Sequence, residues 1–233
     1  MPTIEPGPAM KHDWRTELPC WLVLAAMFAL AAAIWPGSPV RLPVHWGLDF
    51  QPDRYGGRFE ALLALPLTAL FLYLAITLFP RIDPGRSHYA SFAGAYLIVR
   101  FAVLAFLLAI YVLMLRSFRA ETPGGPGVVP VFAGVLLMVL GVAMRKLRPN
   151  WLMGIRTPWT LSSPRSWERT HRVGSVVFMA CGALIALSTL GGVWALLTAV
   201  GVFGVATLAV SIYSYFPWRD DPQKVPPGGH SSA

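Results

Sequence analysis

The sequence predicts an all-α integral membrane protein, a six-transmembrane-helix bundle with its N and C termini cytoplasmic. Three observations carry this reading. The 233-residue chain is 55% hydrophobic and only 13% charged, against roughly 25% charged in soluble domains. Its apolar residues are clumped into long uncharged runs, too many to hide in one soluble core. Its nineteen Lys and Arg residues fall unevenly about those runs. An ordinary soluble enzyme, a disordered chain and a disulfide scaffold are excluded. Cys20 and Cys181 both sit in apolar runs at different depths, which predicts buried thiols and no disulfide.

The spans, in order, cover 18–35, 60–79, 91–115, 127–144, 173–190 and 193–215. A crossing helix needs about 20 residues, with about 17 as a lower limit, so the first, fourth and fifth are short but usable. The first follows Lys11 and Arg15 and contains Ala31-Ala32-Ala33, which can mimic a signal-peptidase site. Removing it leaves five spans and a worse charge balance, so it reads as a retained helix, with Met1 and Met10 both open as starts. Pro66 and Pro130 lie inside spans and require neighbours that satisfy the freed carbonyls. Gly191-Gly192 makes the last two spans a tight hairpin. Gly134, Gly141, Gly182, Gly201 and Gly204 suit close helix packing. The organisation is a tail over 1–17, a first hairpin with a structured outer loop over 18–79, the third and fourth spans over 80–144, a loop and final hairpin over 145–216, and a disordered tail over 217–233.

Orientation follows from charge. With the N-terminus inside, thirteen Lys and Arg residues are inner and five are outer (Arg41, Arg54, Arg58, Arg116 and Arg119); Arg100 lies within a span. That asymmetry places both termini in the cytoplasm. No tryptophan sits in mid-span, as an aromatic belt requires.

Two loops and one buried charge are candidates for chemistry. The outer loop contains Pro43, His45 and Trp46, then Asp49 and Asp53 among Pro and Gly, which makes it turn-rich and not helical. His45, Asp49 and Asp53 match no strong metal spacing, and hydrogen bonding within the loop is favoured. In the inner loop, Pro158 pushes Thr157 toward an extended conformation. Ser163-Pro164 reads as an N-cap followed by Pro at the first helical position. The helix that starts there has two faces at ~100° per residue: Trp167, Thr170, His171 and Gly174 on one, Arg165, Arg169 and Arg172 on the other. Glu168 can pair with Arg172. The first face either lies against the membrane or joins Arg156 in a pocket, and both readings stand. Arg100 is ~14 Å deep at 1.5 Å per residue, with no Asp or Glu inside a predicted span core. It is a functional candidate, or it bonds to backbone carbonyls or to Asp83.

No phosphate-binding loop, nucleophile elbow, zinc-protease motif or metal-spaced Cys pair is present. No span carries the carboxylates of a proton relay. No cofactor, metal site or direct nucleic-acid contact is expected, and catalysis is not.

The inner loop carries a resemblance. Asn150-Trp151, then Gly154-Ile155-Arg156-Thr157-Pro158-Trp159-Thr160, then Trp167, Thr170, His171 and Gly174 resemble the motif of the SdpI family of bacterial immunity membrane proteins, placed as in that family between the fourth and fifth of six helices. The outer loop, with Pro43, His45, Trp46 and Asp53, resembles the uncharacterised domain often found before that motif. It departs at Gly47, where a polar residue is usual, and at Phe50, where a glycine is customary. The resemblance implies a multi-pass protein of the bacterial cytoplasmic membrane that confers resistance to a secreted peptide toxin. It also implies a signalling role, in which a transcriptional repressor is held at the inner face. The lipid bilayer, the toxin and the repressor are then the partners. The basic inner patch suits an acidic protein surface as well as anionic lipid. The alternative is a small-molecule or lipid transporter, or a membrane enzyme, with a polar cavity around Arg100, Arg156 and His171.

Overall fold

In a computed structural model, residues 13–118 and 127–225 are described. Arg119, Lys11, both candidate start methionines and the outer parts of the two expected tails, 1–12 and 226–233, lie outside the described residues. The chain is mostly helical. In order it forms α1 (Trp14–Ile34), a hairpin of β1 (Arg41–Trp46) and β2 (Pro52–Gly57), α2 (Arg58–Leu78), α3 (Ala93–Ser117), α4 (Val129–Met144), the single turn α5 (Pro158–Leu161), α6 (Pro164–Leu187), α7 (Gly192–Tyr213) and α8 (Tyr215–Arg219).

Among the described residues, five helical segments are long and apolar enough to cross a membrane: Trp14–Gly37, Arg58–Arg81, Arg86–Ser117, Pro164–Leu190 and Gly192–Arg219. The protein is therefore a multi-pass membrane protein. The fourth expected span, α4, is apolar but has only 16 residues, about 24 Å at 1.5 Å per residue. That is less than the ~30 Å of a bilayer core.

Four buried apolar clusters hold the bundle, the largest in one half of it. That cluster gathers α1, α2 and α3 around Met27, Leu62, Ala69, Leu104 and Tyr111. Tyr111 lies fully buried there, its hydroxyl donating to the Leu62 carbonyl at 2.8 Å. The other half is built on α4 and α6, the most extensively packed helix pair. Glycines permit that approach. A Cβ on Gly134 would meet the Ala186 nitrogen at 2.7 Å, and one on Gly141 would meet the Ser175 carbonyl at 2.9 Å. Gly182 is equally closed by Met138, whereas Gly201 and Gly204 face open space. The packing role expected of all five glycines therefore holds within the chain for three. Cys20 and Cys181 are buried and free.

Three expectations are corrected. The chain is not purely helical, because the outer loop forms an antiparallel hairpin pairing Arg41 with Gly57 and Pro43 with Tyr55. Leu42 and Pro43 are buried along β1 and Val44 rests against the largest cluster, which fixes the strand onto the helices beneath. Its tight end places Phe50 at φ 60°, a left-handed conformation glycine adopts without cost; this is the position of the departure noted above. Second, α1 begins at Trp14 rather than 18, because the Asp13 side chain caps it by accepting from the Arg15 N–H. That early start puts Glu17 inside the helix. Third, the tail expected to be disordered over 217–233 is not free of structure through Val225: its first residues close α8, and Asp221 is buried and fastened to the start of α6.

Candidate functional site

The motif loop, 148–163, is held from inside itself. Asn150 is buried. Its Oδ1 accepts from the Leu152 and Met153 N–H groups at 3.0 and 2.7 Å, and its Nδ2 donates to the Arg148 carbonyl at 2.8 Å. One side chain thus turns the backbone, which a carboxylate, lacking donors, could not do. Gly154 follows at φ +103°, and a Cβ there would press into the His171 ring. The next N–H, of Ile155, donates to His171 Nε2 at 3.1 Å.

That bond assigns the imidazole. Nε2 accepts, so Nδ1 carries the proton and donates to the Trp167 carbonyl at 2.7 Å. The ring also stacks on Trp167, with centroids 4.0 Å apart. Trp167 in turn donates from Nε1 to the Leu147 carbonyl at 2.9 Å. His171 therefore joins the loop to α6 with both nitrogens engaged.

Thr157 and Thr160 form a reciprocal cap. The Thr157 N–H donates to Thr160 Oγ1 at 2.9 Å, and the Thr160 N–H donates to Thr157 Oγ1 at 3.1 Å. Pro158 occupies the first helical position of α5, where its missing N–H costs nothing. Thr157 also bonds to Ser214, at the end of α7, at 2.9 Å. Trp159 packs edge-on against Tyr215 at 5.5 Å. Ser163 caps α6 by accepting from Ser166 at 2.9 Å and donates to Asp221. Ser166 donates to the Ser214 carbonyl at 2.7 Å. The motif thereby ties the end of α4 and the start of α6 to the end of α7.

Of the motif residues, Asn150, Thr160, Trp167, Thr170 and His171 are buried, while Trp151, Arg156 and Pro158 are exposed. The exposed Arg156 donates back to the Trp151 carbonyl. It stands at the mouth of an apolar cavity of about 370 Å3 bordered by Val99, Met144, Ile155 and Phe178. Trp167, Thr170, His171 and Gly174 do share the inward face, and Glu168 does pair with Arg172 at 2.7 Å.

Arg100 has a partner elsewhere than expected. It is fully buried, and its Nη2 lies 2.6 Å from Glu17 Oε1. Nη1 donates to Thr77 Oγ1 at 3.1 Å, and the guanidinium lies 5.6 Å from the Tyr73 ring centre. Tyr73 donates to the other Glu17 oxygen at 2.8 Å and accepts from Trp21 at 2.7 Å. Asp83, offered above as its partner, is buried instead against the motif loop. It accepts from Tyr89 at 2.5 Å, from the Gly85 N–H at 2.6 Å and from the Trp151 N–H at 2.9 Å. Arg100, Arg156 and His171 therefore do not line one cavity.

At the opposite end, His45 Nδ1 lies 2.6 Å from Asp53 Oδ1 across the exposed hairpin, the hydrogen bond favoured for that pair. Arg54 and Glu60 pair at 2.7 Å. Trp46 and Phe50 overhang an apolar cleft of about 540 Å3, closed by Leu65 of α2, Met114 of α3 and Leu196 of α7.

Glu17, Asp83, Ser163, Ser166, Ser214 and Asp221 escaped notice as members of these networks. Only Ser163 carried a signal, its cap pattern before Pro164. The others are ordinary polar residues, each with at least one partner far along the chain.

Comparison with known proteins agrees with this layout. Residues 146–214 match the SdpI/YfhL protein family, and residues 22–70 match a domain of unknown function, DUF1648. The chain is similar to the protein named Immunity protein SdpI of Bacillus subtilis (strain 168), with 23% identity over 202 residues that cover 85% of this chain and 93% of the relative. No solved structure matches.

Proposed function

With its SdpI/YfhL segment as the premise, we propose that this SdpI-like membrane protein protects a bacterial cell against a membrane-active peptide toxin, without catalysis. The observation that carries this is the similarity to a named immunity protein across 93% of that protein's length. The cleft beneath the hairpin supports this reading. It is apolar, reaches both strands and the helices α2, α3, α4 and α7, and is rimmed by the Arg54–Glu60 pair and the polar His45–Asp53 pair. An amphipathic peptide can lay its apolar face there and its charges against the rim.

The charge distribution supports six crossings, with α4 as the short one, both termini in the cytoplasm and the hairpin outside. The motif loop then lies at the inner face of the cytoplasmic membrane. A repressor held there would meet the exposed Trp151, Arg156 and Pro158, a reading carried by the resemblance.

Ala64 is exposed and borders the cleft. Ala64→Trp fills the cleft without entering the core. Cells that carry it should lose protection against toxin-containing supernatant of related strains, while the level of membrane-inserted protein stays normal. If deletion of the whole protein leaves toxin sensitivity unchanged, immunity is not its role.

A further inference from the structure

Where α4 ends and α6 begins, the two helices border a cleft of about 810 Å3. Arg145, Lys146, Arg148, Arg165, Arg169 and Arg172 surround it, and Glu168 is the single carboxylate on its wall. Glu168 is engaged with Arg172 at 2.7 Å. Arg165 donates to the Asp220 carbonyl at 2.9 Å. The side chains of Arg145, Lys146, Arg148 and Arg169 make no ion pair or hydrogen bond within the described residues. Four uncommitted cations around one hollow repel one another, and an anion placed among them relieves that repulsion. The floor is Trp167 and Leu147, both buried and fixed by their mutual hydrogen bond.

A second hollow decides which anion. Between α3 and α4 runs an apolar groove of about 290 Å3, lined by Ala95, Ile98, Met138 and Val142, with Lys146 at its end. Lys146 borders both hollows. Ile98 and Val142 are more than half exposed, so the groove opens sideways, where hydrocarbon surrounds a membrane protein. A free phosphate has no use for such a groove, and an acidic protein segment does not enter it. A lipid satisfies both halves, headgroup among the cations and chain along the groove.

We propose that the cleft and groove together form a binding site for one anionic phospholipid. Its phosphate is held by Arg145, Lys146 and Arg169, and an acyl chain lies along Ala95, Ile98 and Val142. Bound so, the lipid bridges α3, α4 and α6 and covers the flank of the short α4. The site is independent of toxin protection.

The test uses the full chain, purified in neutral detergent and titrated with phosphatidylglycerol or phosphatidylcholine of the same acyl chains. Retained lipid is counted by native mass spectrometry. One phosphatidylglycerol per chain should be retained at concentrations where phosphatidylcholine is lost, and inorganic phosphate should compete only weakly. Each cation removed should weaken binding about fivefold, so the Arg145→Gln, Lys146→Gln, Arg169→Gln triple variant should lose on the order of a hundredfold. Val142→Trp should obstruct the groove and weaken phosphatidylglycerol binding, leaving the deacylated headgroup's binding unchanged. Equal retention of the two lipids, or a triple variant that binds as the parent does, overturns the proposal. Displacement of the lipid by a poly-glutamate peptide, with no effect of Val142→Trp, assigns the cleft to an acidic protein instead. Full competition by inorganic phosphate reduces it to a phosphate site. If the triple variant does not fold, Arg169→Gln alone, on an exposed face, carries the same test at fivefold.

Discussion

Arg100 and Glu17 show how a buried charge is tolerated. Both carboxylate oxygens and both terminal guanidinium nitrogens of the pair have partners, drawn from α1, α2 and α3. Removing one member leaves the other charged, buried and uncompensated, at a cost of about 3–5 kcal/mol. Arg100→Met should therefore lower thermal stability strongly in detergent, and Glu17→Met should do the same. The double substitution should recover much of the loss, since apolar replacement of a whole buried pair is often neutral. Equal losses that simply add in the double variant would show that the two residues act separately. The need for Arg100 was legible in the sequence as an isolated intramembrane cation. Its partner was not, because Glu17 lies 83 positions away and was placed just outside the predicted first span.

At the scale of elements, the start of α6 is the best-determined feature. Ser163-Pro164 announces the cap, and the structure confirms it and adds Asp221. The Ser163 hydroxyl beside Asp221 holds its carboxyl below the usual carboxylate range. Desolvation opposes this in part, and the N–H groups of Gln223 and Arg165 and the charge of Arg165 assist it. A depressed carboxyl stabilises the fold above its unfolded value, roughly 3.9, and that contribution is lost as pH falls through the folded value. Asp221→Asn should thus speed proteolysis of the segment after α7 at neutral pH. The difference from the parent should close only in strong acid. A gap that persists unchanged there would assign the effect to shape rather than charge. The hairpin is the contrary case. Its Pro and Gly content announced turns, but strand pairing depends on which residues face each other, and that register is set by Leu42 and Pro43 packing inward.

For the whole molecule, the order and apolar character of the helices follow from local sequence, and the proposed sidedness rests on where Lys and Arg gather. A reporter fused after Arg148 should read on the same side as one fused to the N-terminus, and one inserted in the hairpin turn at Leu48 on the other. A reporter after Arg148 on the hairpin's side would overturn the proposed orientation. The basic residues that fall unevenly along the sequence gather mainly at one end. There, six of them border a single cleft.

Hydropathy, cap patterns and charge are properties of neighbouring residues, so the sequence by itself determined a membrane bundle, its helix order, the start of α6 and the helix face that Trp167, Thr170, His171 and Gly174 share. The tertiary structure alone decided that Glu17 meets Arg100, that Asp83 and Asp221 clasp the motif from opposite flanks, and that Arg156 and His171 serve different places. It also decided that α4 lies close enough to α6 for three glycines to be required. Each of these is a contact between residues far apart in the chain. Such pairings depend on how whole helices dock, which no local pattern encodes.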